Sequence, residues 1–307
     1  MERVKTNSLQ AWVLAARPKT LTGALVPVVL ATALAAADGV VRVPVALLCA
    51  LFAAAMQVAA NLINDYYDWR KGSDRADRLG PERACAQGWI TPRAMLWGIA
   101  ATLGVACLGF GLPVWHLVRA ALPWGGGELL LLGALCVVFA FAYTAWFSYW
   151  GLGDVLVLVF FGFVPVGGTY YVQALSLTPE VAVLSLVSGL AIDALLVINN
   201  YRDREQDLRS GKRTVVVRWG EPFGRWLYLA LGLVVVALMG VLWVQGRLTP
   251  LGLAGAAVPY GVLHFGTWRR LCAIRRGRAL NALLGQTSRN MALLALLLSA
   301  ALLAAAR

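Results

Sequence analysis

Charge is scarce in this sequence. Only 14% of its 307 residues are Asp, Glu, Lys or Arg, while 60% are hydrophobic and mean hydropathy is +0.71. A water-soluble domain is roughly a quarter charged, so that class is excluded. Histidine is nearly absent: His116 and His264 stand far from every acidic cluster, which marks them as interfacial or structural rather than catalytic. The five cysteines (Cys49, Cys85, Cys107, Cys136, Cys272) show neither C-x-x-C spacing nor a nearby His. Disulfide and zinc frameworks therefore have no support.

What fills the chain instead is apolar sequence in helix-length windows. A stretch of about 17 to 25 apolar residues crosses a ~30 Å hydrocarbon core as a helix, and such stretches recur from Thr20 onward. The pattern predicts an all-α polytopic membrane protein with nine transmembrane helices. The expected spans lie near 20–37, 43–63, 94–114, 128–147, 154–174, 181–200, 224–245, 250–268 and 287–305, in one integral-membrane domain over 1–307. Three of them open on Thr-Pro, at Thr91-Pro92, Thr178-Pro179 and Thr249-Pro250, where Thr can cap a helix and Pro suits its first turn. The first span follows about twenty polar and charged residues with no clear A-x-A site, so it reads as retained rather than as a signal peptide.

The net charge of +12 invites a nucleic-acid reading, and the placement of the bases answers it. Four lie before the first span, six in 64–93, seven in 201–223 with Arg225, and six from Arg269 to Arg289, which together are 23 of the 27. The alternate connections hold only Arg42, Arg119 and Arg247. This is the positive-inside rule for a chain with its N-terminus in the cytoplasm. The excess of base thus reports topology, with the lipid bilayer as partner and no nucleic acid.

Acidic residues number fifteen, and nine of them fall in two connections on the same expected cytoplasmic face. The first cluster contains Asn61, Asn64, Asp65, Asp68 and Asp74; if the second span continues as helix, Asn61, Asp65 and Asp68 share a face by i, i+4 and i, i+3 spacing. In the second cluster, Asn199-Asn200-Tyr201-Arg202-Asp203 leads to Asp207, and the two aspartates align at i, i+4. Massed oxygen ligands at a membrane surface suit Mg²⁺ sharing its shell with phosphate oxygens. Cations follow each cluster, Arg70, Lys71, Arg75, Arg78 and Arg83 after the first and Arg209, Lys212 and Arg213 after the second. Carboxylate, metal, diphosphate and base then alternate in sign. Asp77, Glu82, Glu205 and Glu221 read as surface charges. Asp193, inside the sixth span, is costly in lipid and so a functional candidate of unassigned role.

A magnesium-held diphosphate sunk among lipid-facing helices suits ionisation of an allylic diphosphate, because the site excludes the water that would quench the cation. Aromatic faces stabilise such a cation, and Tyr66, Tyr67, Tyr143, Trp146 and Tyr201 lie in or near the clusters. A transporter would show internal repeats and mid-span charge; no convincing halves are visible, and the acids crowd span ends. The D-G-x-x-A-R motif of the CDP-alcohol transferases is also missing.

The ordered set Arg17-Pro18-Lys19-Thr20-Leu21, Asn64-Asp65-Tyr66, Lys71-Gly72-Ser73-Asp74, Asp77-Arg78-Leu79-Gly80-Pro81 with Arg83, Gly151-Leu152-Gly153-Asp154, Asn199-Asn200-Tyr201-Arg202-Asp203 and Gly211-Lys212-Arg213-Thr214 resembles the UbiA superfamily of intramembrane prenyltransferases. Within it, the resemblance is nearest to the menaquinone branch. It implies transfer from polyprenyl diphosphate to 1,4-dihydroxy-2-naphthoate with Mg²⁺ and loss of CO₂ and diphosphate, in a bacterial cytoplasmic (inner) membrane, the alternative being another aromatic acceptor such as 4-hydroxybenzoate. It further implies Asn64, Asp65, Asp68, Asp203 and Asp207 as metal ligands, with Asp68, Asp203 and Asp207 catalytic and Tyr143 facing the reacting carbon. Arg83, Lys212 and Arg213, with Lys71, would contact diphosphate, and Arg17, Lys19, Asn61, Asp154 and Asn200 would surround the aromatic substrate. Two departures stand out. Gly72 occupies the place of the superfamily's third carboxylate, which makes Asp74 the next available ligand, and Ala145-Trp146 replaces the Gly-Pro common after Tyr143-Thr144.

Overall fold

The computed structural model describes residues 4–72, 78–147 and 150–306, and of residues 145 and 146 the backbone only. Among the described residues every regular element is helical. A short α1 (Leu9–Ala16) leads through a 3-10 turn at Pro18–Thr20 into α2 (Leu21–Ala37), and α3 (Val43–Arg70) returns. Next come α4 (Pro92–Gly104), a π-helical stretch at Val105–Gly111 and α5 (Leu112–Val118). After α6 (Gly127–Ala142), a π turn covers Tyr143–Phe147. The fifth span is α7 (Gly153–Val157), a π-helical run at Leu158–Gly167 and α8 (Gly168–Ala174). The remaining helices are α9 (Pro179–Arg209), α10 (Val215–Val244), α11 (Pro250–Ile274) and α12 (Asn281–Ala305).

Each of the nine expected spans falls on one of these helices or on a consecutive run of them, and among the described residues seven helical runs are long and apolar enough to cross a membrane. The fourth, Gly127–Ala142, has 16 residues. The eighth, α11, is long, but its Gly, Pro, Tyr and His residues dilute its hydropathy. Of the three Thr-Pro starts, Thr91 and Thr249 accept a capping hydrogen bond from the backbone N–H of Ala94 and Gly252. Thr178 makes none.

The apolar core is built on α9, the most deeply buried of the candidate spans, which packs against α10, α12, α2 and the π-helical run before α8. Lipid is as apolar as leucine, so helices in a membrane associate through close packing of small residues rather than by escaping water. Ser185, Ser188, Gly189 and Ala191 supply that close face. A Cβ on Gly162 would lie 2.5 Å from the Ser185 carbonyl, so only glycine lets the two helices cross there. Pro165 offers no N–H to the turn before it, and Ser188 Oγ donates to the Phe161 carbonyl at 2.9 Å. At the opposite end, Asp38 at the close of α2 accepts from Tyr170 and Arg247, and Arg247 also reaches Glu180. That network leaves the other end of the bundle, where α3 and α9 carry the two acidic clusters past the apolar region, to hold a site.

Candidate active site

The acidic clusters are the last turns of two long helices. Because α3 continues unbroken to Arg70 and α9 to Arg209, Asn61, Asn64 and Asp68 of one helix and Asn199, Asn200, Asp203 and Asp207 of the other line one cavity of about 980 Å³. Arg17, Lys19, Arg83, Tyr143, Asp154 and Lys212 line it too. Its wall on α3 runs from Cys49 to Asp68, nineteen residues or about 28 Å of helix, nearly the thickness of a hydrocarbon core.

At the mouth the charges are already paired. Asp68, 7% exposed, accepts from Arg83 Nη2 at 2.8 Å, and Lys212 Nζ stands 3.8 Å from its other oxygen. Partial burial holds the Lys71 ammonium below its ordinary value, with the Asp68 carboxylate pulling it back up and Lys212 adding to the lowering. Lys71 does not line the cavity; its Nζ donates to the Thr144 carbonyl at 3.3 Å. Thr144 Oγ1 in turn donates to Asn64 Oδ1, which ties the π turn to α3.

Asp203 is gripped by its own neighbour. Arg202 donates from Nε and Nη2 to the two oxygens of Asp203 at 2.7 and 2.5 Å, and from Nη1 to Asn281 Oδ1 at 2.7 Å. Asn281 Nδ2 donates to the Leu79 carbonyl at 2.9 Å. One asparagine at the start of α12 thus fastens the loop after the first cluster to the second cluster.

Asp65 takes a different position from its neighbours. It is 1% exposed and does not line the cavity: its Oδ2 and Oδ1 accept from the backbone N–H groups of Ala84 and Cys85 at 2.8 and 2.9 Å, with Arg17 Nη2 3.8 Å away. Asn61 lines the cavity but spends its amide on the Pro18–Thr20 turn, donating to the Ala16 carbonyl at 2.9 Å and to Thr20 Oγ1 at 2.8 Å. That bond supports the αL conformation of Arg17 (φ 50°). Arg213 is exposed and outside the cavity. Asp74 and Asp77, like the side chain of Trp146, lie outside the described residues.

Of the aromatic residues expected near the site, Tyr143 alone lines the cavity among those whose side chains are described. Tyr66 and Tyr67 pack with α1 and the 84–95 segment, and Tyr201 is buried with its hydroxyl donating to Glu221 at 2.9 Å. Phe52, Phe139, Phe160, Phe161 and Trp115 line the wall instead, the rings of Phe139 and Phe160 with centroids 4.8 Å apart. Sequence reasoning missed these, since a Phe in an apolar span carries no mark. It also missed Gln206, Ser210 and Asn281; only their place near span ends, beside the second cluster or at the start of α12, could have signalled them.

A model of the UbiA prenyltransferase family matches residues 24–282. The chain belongs to that family. This UbiA-family chain is 40% identical over 224 residues to the 1,4-dihydroxy-2-naphthoate octaprenyltransferase of Escherichia coli, covering 72% of each chain. To the protein of the same name from Mycobacterium tuberculosis it is 36% identical over 302 residues, 96% of this chain and 97% of that one. Among solved structures, a UbiA homologue from Archaeoglobus fulgidus bound to DMAPP and Mg²⁺ matches with a TM-score of 0.65 at 13% identity, covering 95% of this chain and 99% of that one. That likeness shows a UbiA fold for this chain.

Proposed function

We propose that this UbiA-family protein transfers a polyprenyl group from polyprenyl diphosphate to 1,4-dihydroxy-2-naphthoate, releasing diphosphate and CO₂ and giving demethylmenaquinol. The observation that carries the reading is the cavity: oxygen ligands and cations at its mouth lead to a wall about 28 Å long rich in apolar and aromatic side chains. A diphosphate head on a long hydrocarbon tail fits that shape and charge. The choice of acceptor is supported by the names of the two bacterial relatives, whose identity with this chain extends over most of its length.

The donor set fits magnesium. Asn64, Asp68, Asp203 and Asp207 offer hard oxygens, and among the described residues no three His, Cys, Asp or Glu side chains are grouped to hold a metal alone, so phosphate oxygens would complete the shell. When bound, the metal would neutralise charge developing on the departing diphosphate oxygens. Asp74 belongs to the proposed ligand set as a further carboxylate. Asp65 supports the site from behind, fixing the loop that carries Arg83.

Arg83 and Lys212 hold the diphosphate from inside the mouth, and Lys71 and Arg213 add positive charge at its rim. Tyr143, which lines the cavity together with Phe139 and Phe160, faces the allylic carbon, where an aromatic face contributes about 0.5–2 kcal/mol to a cation. Apolar walls keep water from that carbon. Arg17 and Lys19 meet the acceptor's carboxylate, Asn61 keeps their turn in place, and Asn200 and Asp154 stand on the acceptor's side. The bias of basic residues supports an orientation with the N-terminus and both acidic clusters cytoplasmic, and a bacterial cytoplasmic (inner) membrane follows from the quinone-pathway reading.

Mass spectrometry of products from a panel of aromatic acids with one polyprenyl diphosphate tests the reading. The naphthoate should give a prenylated product lacking CO₂. A prenylated 4-hydroxybenzoate that keeps its carboxyl, with no product from the naphthoate, would overturn it.

A further inference from the structure

Two carboxyl groups in the apolar interior have no task in this scheme beyond general proximity. Asp193, in the middle of α9, is 3% exposed, and Asp154, in the first turn of α7, lies on the cavity wall. The two side chains hydrogen-bond to each other, and the Oδ1 atom of each is buried without a partner. Asp193 precedes Asp203 by ten residues, about 15 Å of helix, so the pair is separate from the metal ligands. A carboxyl at this depth is costly and is kept where it acts.

The surroundings are apolar on nearly every side. Neither Leu21–Ala37 of α2 nor the Leu158–Gly168 run, both packed in this region, brings a titratable side chain. Tyr143, from the fourth span, lines the same cavity as Asp154, Asp68 and Asp207, and a Cβ on Gly153, the neighbour of Asp154, would lie 3.6 Å from its hydroxyl oxygen. Tyr143 thus lies beside Asp154 in the cavity that also holds the acidic clusters. A ring positioned to attack the allylic carbon beside Tyr143 would extend one edge toward Asp154. A hydrogen bond between two carboxyl oxygens requires a proton, and two adjoining carboxylates do not both ionise. Such a pair can take up a further proton or return it.

We propose that Asp154 and Asp193 form a proton-holding pair for the aromatic acceptor, with Asp154 touching the ring hydroxyl ortho to the carboxylate and Asp193 positioning Asp154. The proposal rests on the acceptor reading above. As the ring carbon bearing the carboxylate bonds to the allylic carbon, the allylic C–O bond breaks and its electron pair leaves with diphosphate. The ortho hydroxyl passes its proton to the free carboxylate oxygen of the pair, which leaves a ring ketone. The C–CO₂ bond then breaks, its electrons restore the aromatic ring, CO₂ departs, and the proton returns to the oxygen. The enzyme ends with the proton count it began with.

The test is a cycle between enzyme and substrate, with turnover measured for wild type, Asp154→Asn and Asp193→Asn on the naphthoate and on its two monomethyl ethers. Asp154→Asn should lower kcat about 100-fold or more, the scale of a lost acid–base group, with the KM for polyprenyl diphosphate unchanged. Methylating the ortho hydroxyl should cost wild type a similar factor and Asp154→Asn nothing further; the other ether should show no such coupling. Asp193→Asn should show the same coupling with a smaller loss. If either variant fails to accumulate, the wild-type comparison of the two ethers still decides. Equal turnover of the ortho ether and the parent by wild type, or losses that simply multiply, would overturn the pair's role. Absence of product from wild type with the naphthoate would strike the acceptor reading instead.

Discussion

Asp65 is the residue on which the motif and the geometry disagree most sharply, and Asp65→Asn separates them. The substitution keeps the shape but turns an NH₂ group toward a backbone N–H. Of the two bonds to Ala84 and Cys85, one is lost and the other becomes neutral. A hydrogen bond to a charged group contributes about 1.5–3 kcal/mol and a neutral one about 0.5–1.5 kcal/mol, so the loss is about 3 kcal/mol. The Arg83–Asp68 pair and the Asn281–Leu79 bond hold the same loop in both proteins, so at 1.4 kcal/mol per tenfold the detached loop becomes about 100-fold more populated in the variant. Trypsin acting on the reconstituted protein, with cleavage after Arg78 and Arg83 followed by mass spectrometry, reads that population when reclosing is fast. Cleavage should be about 100-fold faster in the variant, while the Mg²⁺ concentration needed for its residual turnover stays that of wild type. Unchanged cleavage with a large rise in the Mg²⁺ requirement would refute the reasoning and make Asp65 a ligand.

Asp68→Asn and Asp203→Asn should each abolish turnover while the protein inserts and purifies normally; near-normal activity in either would end the two-cluster metal scheme. Excess chelator should stop turnover and Mg²⁺ restore it, measured by product formation in the same vesicles. Arg83→Lys should lower turnover strongly, because an ammonium cannot hold Asp68 and a diphosphate oxygen with a planar fork; wild-type kcat would remove Arg83 from the mouth. Gly162→Ala should destabilise the protein by about 1–3 kcal/mol, as overpacking does, visible as a lower thermal midpoint in detergent, since its Cβ would meet the Ser185 carbonyl at 2.5 Å.

Helix positions were legible because apolar runs and Thr-Pro starts follow directly from lipid as solvent. Periodicity placed Asn61, Asp65 and Asp68 together, yet a shared face does not reveal what packs against it. The 84–85 backbone comes back to claim Asp65, and Thr20 of the Pro18–Thr20 turn, with the Ala16 carbonyl before it, claims Asn61. Asp193 was readable as a lone acid in a span; its partner Asp154, on another helix, was not. The three π-helical stretches carry no sequence mark, although the one at Tyr143–Phe147 sets where Tyr143 points. The aromatic wall was illegible for the same reason that it works: Phe139 and Phe160 look like any other apolar residue until two helices bring their rings together.

The bond from Asn281 to Arg202 and to the Leu79 carbonyl has a consequence for the order of events in synthesis. The Asp203 carboxylate is oriented by an arginine whose remaining grip lies on α12, a helix made after both acidic clusters. A nascent chain with both acidic clusters already inserted still lacks the clasp that sets them against each other. Placing the clasp at the start of α12, downstream of both clusters, delays a working mouth until that helix has packed against them.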